Sequence, residues 1–155
     1  MSGKIDARLK ELGLELPQAT APIANYVPYT VSGKLVVVSG QVSVRNGKPE
    51  FVGKLGAGVA VADGQQAAKL CALNILAHLK TACDGDLDRV KRVLRLGGFV
   101  NCTPDFTDMP QVVNGASDLM VQVFGDAGKH ARAAVGVASL PLGVAVEVEA
   151  MFELA

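Results

Sequence analysis

ARAAVGVASL (residues 131–140) and VAVEVEAMFEL (residues 144–154) are apolar runs rich in valine and alanine, joined through Leu140-Pro141-Leu142-Gly143. Their β-branched content and the Pro/Gly pair between them read as two strands around a turn. Strand side chains alternate between faces, so Glu147 and Glu149 share one face of the second strand and Val146 and Val148 the other. The first strand opens on Arg132, whose guanidinium has to reach water, an ion pair or a ligand carboxylate.

Moving toward the N-terminus, Asp108–Phe124 carries apolar residues at Val112, Val113, Leu119, Met120, Val123 and Phe124, with Pro110 tolerable in a first turn; this spacing predicts a helix. DLDRVKRVLRLGGFVNCTP (86–104) becomes strand-like through Val90, Val93, Leu94, Phe99 and Val100, and Gly97-Gly98 suggests a bulge. GQQAAKLCALNILAHLKTAC (64–83) is Ala- and Leu-rich without proline and predicts a long helix, with Asp63 as its N-cap. LVVVSGQVSV (35–44) followed by Asn46-Gly47 reads as a hairpin or bulged strand pair. Before it, ELPQATAPIANYVPYT (15–30) holds Pro17, Pro22 and Pro28 and reads as an irregular lead-in. Ile5, Leu9 and Leu12 space a short amphipathic helix ended by Gly13. The expected organisation is an N-terminal helical extension over residues 1–20 and one domain over 21–155. Strands, helix, strand, helix, two strands imply an α+β fold: one mixed or antiparallel sheet with two helices on one face. The other sheet face then needs cover, which subunit association would supply.

Composition narrows the function classes. At 155 residues, half of them apolar and 19% charged, the chain suits a single packed core. Fifteen basic and fifteen acidic residues cancel, so no summed field attracts phosphates, and nucleic acid is not an expected partner. Apolar runs are broken well before about 18 residues, which argues against a membrane span. Cys71, Cys83 and Cys102 are odd in number and widely spaced, with no basic hydrophobic leader ahead of them, and read as reduced cytoplasmic thiols in or near the core.

Each candidate group has a plainer role beside it. Arg132 could be a solvated edge-strand arginine or half of an ion pair. Glu147 and Glu149 could mark a solvated strand face, or one carboxylate could position water or accept a proton. His78 and His130, the only histidines, have no metal-ligand spacing and read as surface or capping residues, so no metal site is expected. Nucleotide-binding, elbow-serine and zincin patterns are absent from the sequence.

One longer pattern goes further. RAAVGVASLPLGVAVEVE, Arg132 to Glu149, resembles the C-terminal signature R-x-x-V-x-V-x-x-L-P-x-x-x-x-V-E-V/I-E of the YjgF/RidA-like reactive intermediate deaminases, also labelled the endoribonuclease L-PSP family. Arg132, Val135, Val137, Leu140, Pro141, Glu147 and Glu149 meet it in turn. The likeness extends over about residues 22–155, through Tyr26 in the lead-in, Ser39-Gly40-Gln41 and Asn114. It implies a chorismate-mutase-like fold assembled as a homotrimer with clefts between subunits. It also implies hydrolysis of 2-imino or 2-enamino acids, of the 2-aminoacrylate type, to 2-oxo acids and ammonia without cofactor or metal. By the same resemblance Arg132 would grip the substrate carboxylate, and Glu147 would orient water or shuttle its proton. Tyr26, Ser39 and Gly40 would line the cleft from a neighbouring subunit, and Asn114 would hold Arg132 or the ligand. Three departures qualify it: Ala134 where many members have cysteine, IANYVPYT in the lead-in, and the loop GDAGKH before Arg132. The alternatives are a non-catalytic carboxylate-binding trimer and, against the charge balance, an endoribonuclease.

Overall fold

A computed structural model describes residues 3–19 and 25–155. The expected boundary between residues 20 and 21, and Pro22 of the lead-in, lie outside these residues. The elements in order are α1 (Lys4–Glu11), β1 (Tyr29–Ser32), β2 (Leu35–Val42), β3 (Val44–Arg45), β4 (Lys48–Pro49), β5 (Lys54–Leu55), β6 (Gly58–Val59), α2 (Val61–Ala82), β7 (Val90–Asn101), α3 (Met109–Phe124), β8 (Ala131–Val137) and β9 (Val146–Leu154). Five strands form the main sheet in the order β1-β2-β9-β7-β8. All neighbours are antiparallel except β7 and β8, so the sheet is mixed, as the element order implied.

The two C-terminal strands do flank a turn, yet they are not paired with each other. β7 lies between them, parallel to β8 and antiparallel to β9. Val146, Val148, Ala150, Phe152 and Leu154 of β9 face α2 and α3 and are buried, as are Val36 and Val38 of β2 and Val93, Leu96 and Val100 of β7. Leu70, Cys71, Ile75, Leu76 and Leu79 of α2 and Val112, Val113, Leu119 and Met120 of α3 close the core over them. The opposite sheet face is open: Val37 is 42% exposed and Val135 44%, beside the half-buried Phe99 and Met151.

Several local expectations need correction. Asp63 is not the N-cap of α2. Ala60, extended at φ −74° and ψ 155°, holds that place, and Asp63 sits inside the first turn, where a carboxylate still meets the positive end of the helix. Gly97-Gly98 is not a bulge; the register slips at Lys91 and Leu94 instead. A Cβ on Gly98 would lie 2.5 Å from the Val113 side chain, so this glycine lets α3 lie close to β7. Tyr29-Thr30, placed in the irregular lead-in by their prolines, belong to β1, whose donors are supplied by non-proline residues. Asn46-Gly47 does turn a hairpin, a small one between β3 and β4. His78 is a core residue rather than a surface one, 3% exposed, and burial lowers its pKa.

α1 is tied to the domain through its first two turns. Asp88, in the turn before β7, accepts from the Lys4 and Ile5 amides at 2.9 Å each and so caps the helix from outside. Asp6 pairs with Lys80 of α2 at 3.0 Å, and Arg8 donates to the Gln122 carbonyl of α3 at 2.8 Å.

Candidate functional site

Arg132 lies on β8, the edge strand, with its side chain on the helix-covered face. Its Nη1 donates to Asn114 Oδ1 at 2.8 Å and Ser117 Oγ at 3.1 Å, and its Nη2 to the Pro110 carbonyl at 3.3 Å. One helix supplies all three acceptors: Pro110, Asn114 and Ser117 follow at spacings of four and three, so they lie along one stripe of α3. The expected contact between Asn114 and Arg132 is present. Every one of these acceptors is neutral. Among the described residues no carboxylate lies within ion-pair distance of Arg132, whereas Arg8, Arg45, Arg89 and Arg95 each have one.

Glu147 stands on the opposite face. It is half-buried on β9 beside a bulge in β2: Val38 pairs with Ala150 but Gln41 with Val148, so Ser39 and Gly40 together oppose the single residue Glu149. Gly40 makes room for it, because a Cβ there would lie 2.8 Å from Glu147 Oε2. Ser39 fixes the lead-in beside the bulge, its hydroxyl donating to the Val27 carbonyl at 2.7 Å and its amide to the Pro28 carbonyl at 2.8 Å. Tyr26, adjacent in that lead-in, is 60% exposed. Burial first, and the Glu149 carboxylate second, raise the Glu147 pKa above the ordinary carboxylate value. Glu149 itself pairs with Arg95 at 3.1 Å.

The expected site residues therefore form two groups. Arg132 and Asn114 sit at the β8 edge against α3; Glu147, Gly40 and Ser39 gather at the β2 bulge, and Tyr26 is exposed in the lead-in that Ser39 holds there. β7 separates the two groups within one chain, and they lie on opposite sides of the sheet. The sequence reading missed two residues of the first group. Ser117 Oγ contacts His130 Nε2 at 2.9 Å, and His130 Nδ1 contacts the Gly128 carbonyl at 2.6 Å, so His130 belongs to the surroundings of Arg132 rather than to a free surface. Ala134 is partly buried against the core next to Gly98 of β7. Cys71 and Cys83 are buried and Cys102 is partly so; burial, then Glu147, raises the Cys71 thiol pKa.

Residues 6–154 match the family described as "YjgF/chorismate_mutase-like, putative endoribonuclease". The chain belongs to this YjgF family. The match takes in most of α1 as well as the sheet. The chain is 51% identical over 154 residues to Protein TCP17 of Trypanosoma cruzi, covering 99% of this chain and 96% of that one. It resembles the crystal structure of Atu1372, a protein of unknown function from Agrobacterium tumefaciens, with a TM-score of 0.91 and 51% identity over 97% of this chain and 92% of that chain. RidA from the Antarctic bacterium Psychrobacter sp. PAMC 21119 shares the fold at a TM-score of 0.61 and 22% identity, covering 88% of this chain and 94% of that chain. Among the described residues no helix is long and apolar enough to cross a membrane.

Proposed function

We propose that this YjgF-family chain hydrolyses 2-imino or 2-enamino acids to 2-oxo acids and ammonia, at sites formed between copies of a homotrimer. The observation that carries the reading is the state of Arg132: a cation held by three neutral acceptors and lacking a carboxylate partner among the described residues. Nη1 has spent both hydrogens and Nη2 one. Nε–H and the second Nη2–H are left, a pair that suits side-on, bidentate capture of a carboxylate.

The chemistry then needs water at the imine carbon. Glu147 takes a proton from water as the oxygen adds to the protonated C=N, giving a neutral carbinolamine; it then gives that proton to nitrogen and takes the carbinolamine hydroxyl proton as the C–N bond breaks, ammonia leaves and C=O forms. A carboxylate with a raised pKa suits both transfers, since it exchanges its proton nearer to working pH. Arg132 and Glu147 of one chain are on opposite sheet faces, so Glu147 of a second copy completes the site. The open apolar face with Val37 and Val135 supports that association.

A second reading is favoured by one residue. Ala134 puts a methyl where many relatives by sequence pattern carry a cysteine, which suits a trimer that binds carboxylates without turning them over. A coupled assay separates the two. An amino-acid oxidase or serine dehydratase supplies imino acids, and 2-oxo acid release is followed with wild type, Arg132→Ala and no protein. Acceleration by wild type that is lost in a folded, oligomeric Arg132→Ala supports the deaminase. Absence of acceleration across several imino acids moves the assignment to the binding trimer.

A further inference from the structure

We infer that Ser117 and His130 are positioning residues that lock the Arg132 guanidinium in its carboxylate-binding orientation. This rests on the reading of Arg132 as the carboxylate-holding group. The hydrogen bonds run in one direction. The Gly128 carbonyl can only accept, so His130 Nδ1 carries hydrogen and donates to it at 2.6 Å. Ser117 Oγ accepts from Arg132 Nη1 at 3.1 Å, and its own hydrogen points at His130 Nε2, 2.9 Å away. Arginine, serine, histidine and a main-chain carbonyl thus form a chain in which each donor meets an acceptor.

The far end of the chain is rigid. Gly128 is buried, and a Cβ on it would lie 2.2 Å from the Met120 carbonyl and 2.9 Å from Val121 Cα. Its main chain is therefore packed directly on the last turns of α3. That same helix holds Arg132 through Pro110 and Asn114, so the relay closes a loop that begins and ends on one element. A serine in mid-helix usually bonds back to a carbonyl of its own helix. Ser117 instead spends its hydroxyl between two side chains from beyond the helix, a use that serves orientation. A guanidinium fixed in one plane can present Nε–H and Nη2–H together, and a misplacement of about 1 Å weakens such a fork severely.

The test needs no substrate for its first readout. Rotation of the Arg132 guanidinium about its Nε–Cζ bond is measured by nitrogen-15 NMR in wild type, Ser117→Ala, Ser117→Thr and His130→Gln, each checked for fold and oligomeric state. Restricted rotation in wild type, faster rotation in Ser117→Ala, where Asn114 and Pro110 alone hold the group, and restoration in Ser117→Thr are expected. His130→Gln, which keeps an acceptor within reach of Ser117 but gives up the ring Nδ1 donor, is expected to fall between them. Titration with benzoate, a simple carboxylate, should then show Ser117→Ala binding about tenfold more weakly than wild type, through loss of a hydrogen bond to a charged group. In turnover, KM should rise more than kcat falls. Equal rotation in wild type and a folded Ser117→Ala overturns the inference. Restricted, Ser117-dependent rotation in a protein that binds no benzoate overturns the functional reading and leaves the positioning role standing.

Discussion

Replacing Gly115 by alanine sets two terms of opposite sign against each other. Gly115 is in the middle of α3, where alanine is favoured over glycine by about 1 kcal/mol. It also lies at the crossing with α2: a Cβ would stand 2.0 Å from the Gln65 carbonyl oxygen and 2.7 Å from its carbon. Those are main-chain atoms of a 22-residue helix and cannot swing aside like the end of a long side chain. Overpacking costs of typically 1–3 kcal/mol apply at their upper end, so the net change is roughly 2 kcal/mol of destabilisation. For a chain of this size that lowers Tm by roughly 4–8 °C. Wild type and Gly115→Ala would be melted at one protein concentration, because association shifts Tm by mass action. Moving α3 also moves Pro110, Asn114 and Ser117, so carboxylate binding at Arg132 should weaken alongside. An unchanged or higher Tm would mean that helix propensity wins, and would refute the close packing of α2 and α3 on which the placement of Arg132 depends.

Glu147→Gln should reduce imine hydrolysis by about 10²–10⁴, the usual contribution of a positioned acid or base, which kcat measured against pH would report. It should also raise Tm at neutral pH: the folded-state pKa of Glu147 is raised, so its ionised form is disfavoured by folding, and the gain should vanish below the ordinary carboxylate pKa, where both states are protonated. Gly40→Ala should leave Tm nearly unchanged, since the atom it meets is the mobile end of Glu147, yet lower turnover by displacing that carboxylate; a parallel melt and assay would show the split. Asp88→Ala should destabilise the docking of α1 by about 1 kcal/mol, read by hydrogen exchange of the Lys4 and Ile5 amides. The Asp88 pKa is lowered by those two amides, so in wild type the same loosening should appear only as pH falls through that depressed value.

Much of the fold follows from residue periodicity, because alternation in β9 and the apolar stripe of α3 each admit one buried face. The pairing of β7 between β8 and β9 does not follow, since a turn such as Leu140–Gly143 suits a hairpin equally well. His78 was within reach of sequence reasoning: with Cys71, Ile75 and Leu79 it completes the spacing of a buried helical stripe, and only its polarity argued for the surface. The Arg132 and Glu147 pair is carried by a linear pattern, but their places on opposite sheet faces depend on which face the helices cover. Ser117 and His130 are thirteen residues apart across a turn, a spacing with no fixed geometry, and only the fold brings them together beside Arg132.

Sites shared between copies are tested most directly by subunit complementation. Arg132→Ala and Glu147→Gln, each inactive alone, would be mixed, dissociated, reassembled and assayed for 2-oxo acid release. If Arg132 of one copy works with Glu147 of the next, random mixing of equal amounts restores about one quarter of the wild-type sites. Activity that stays at the level of the separate variants after verified mixing would contradict a site built from two copies.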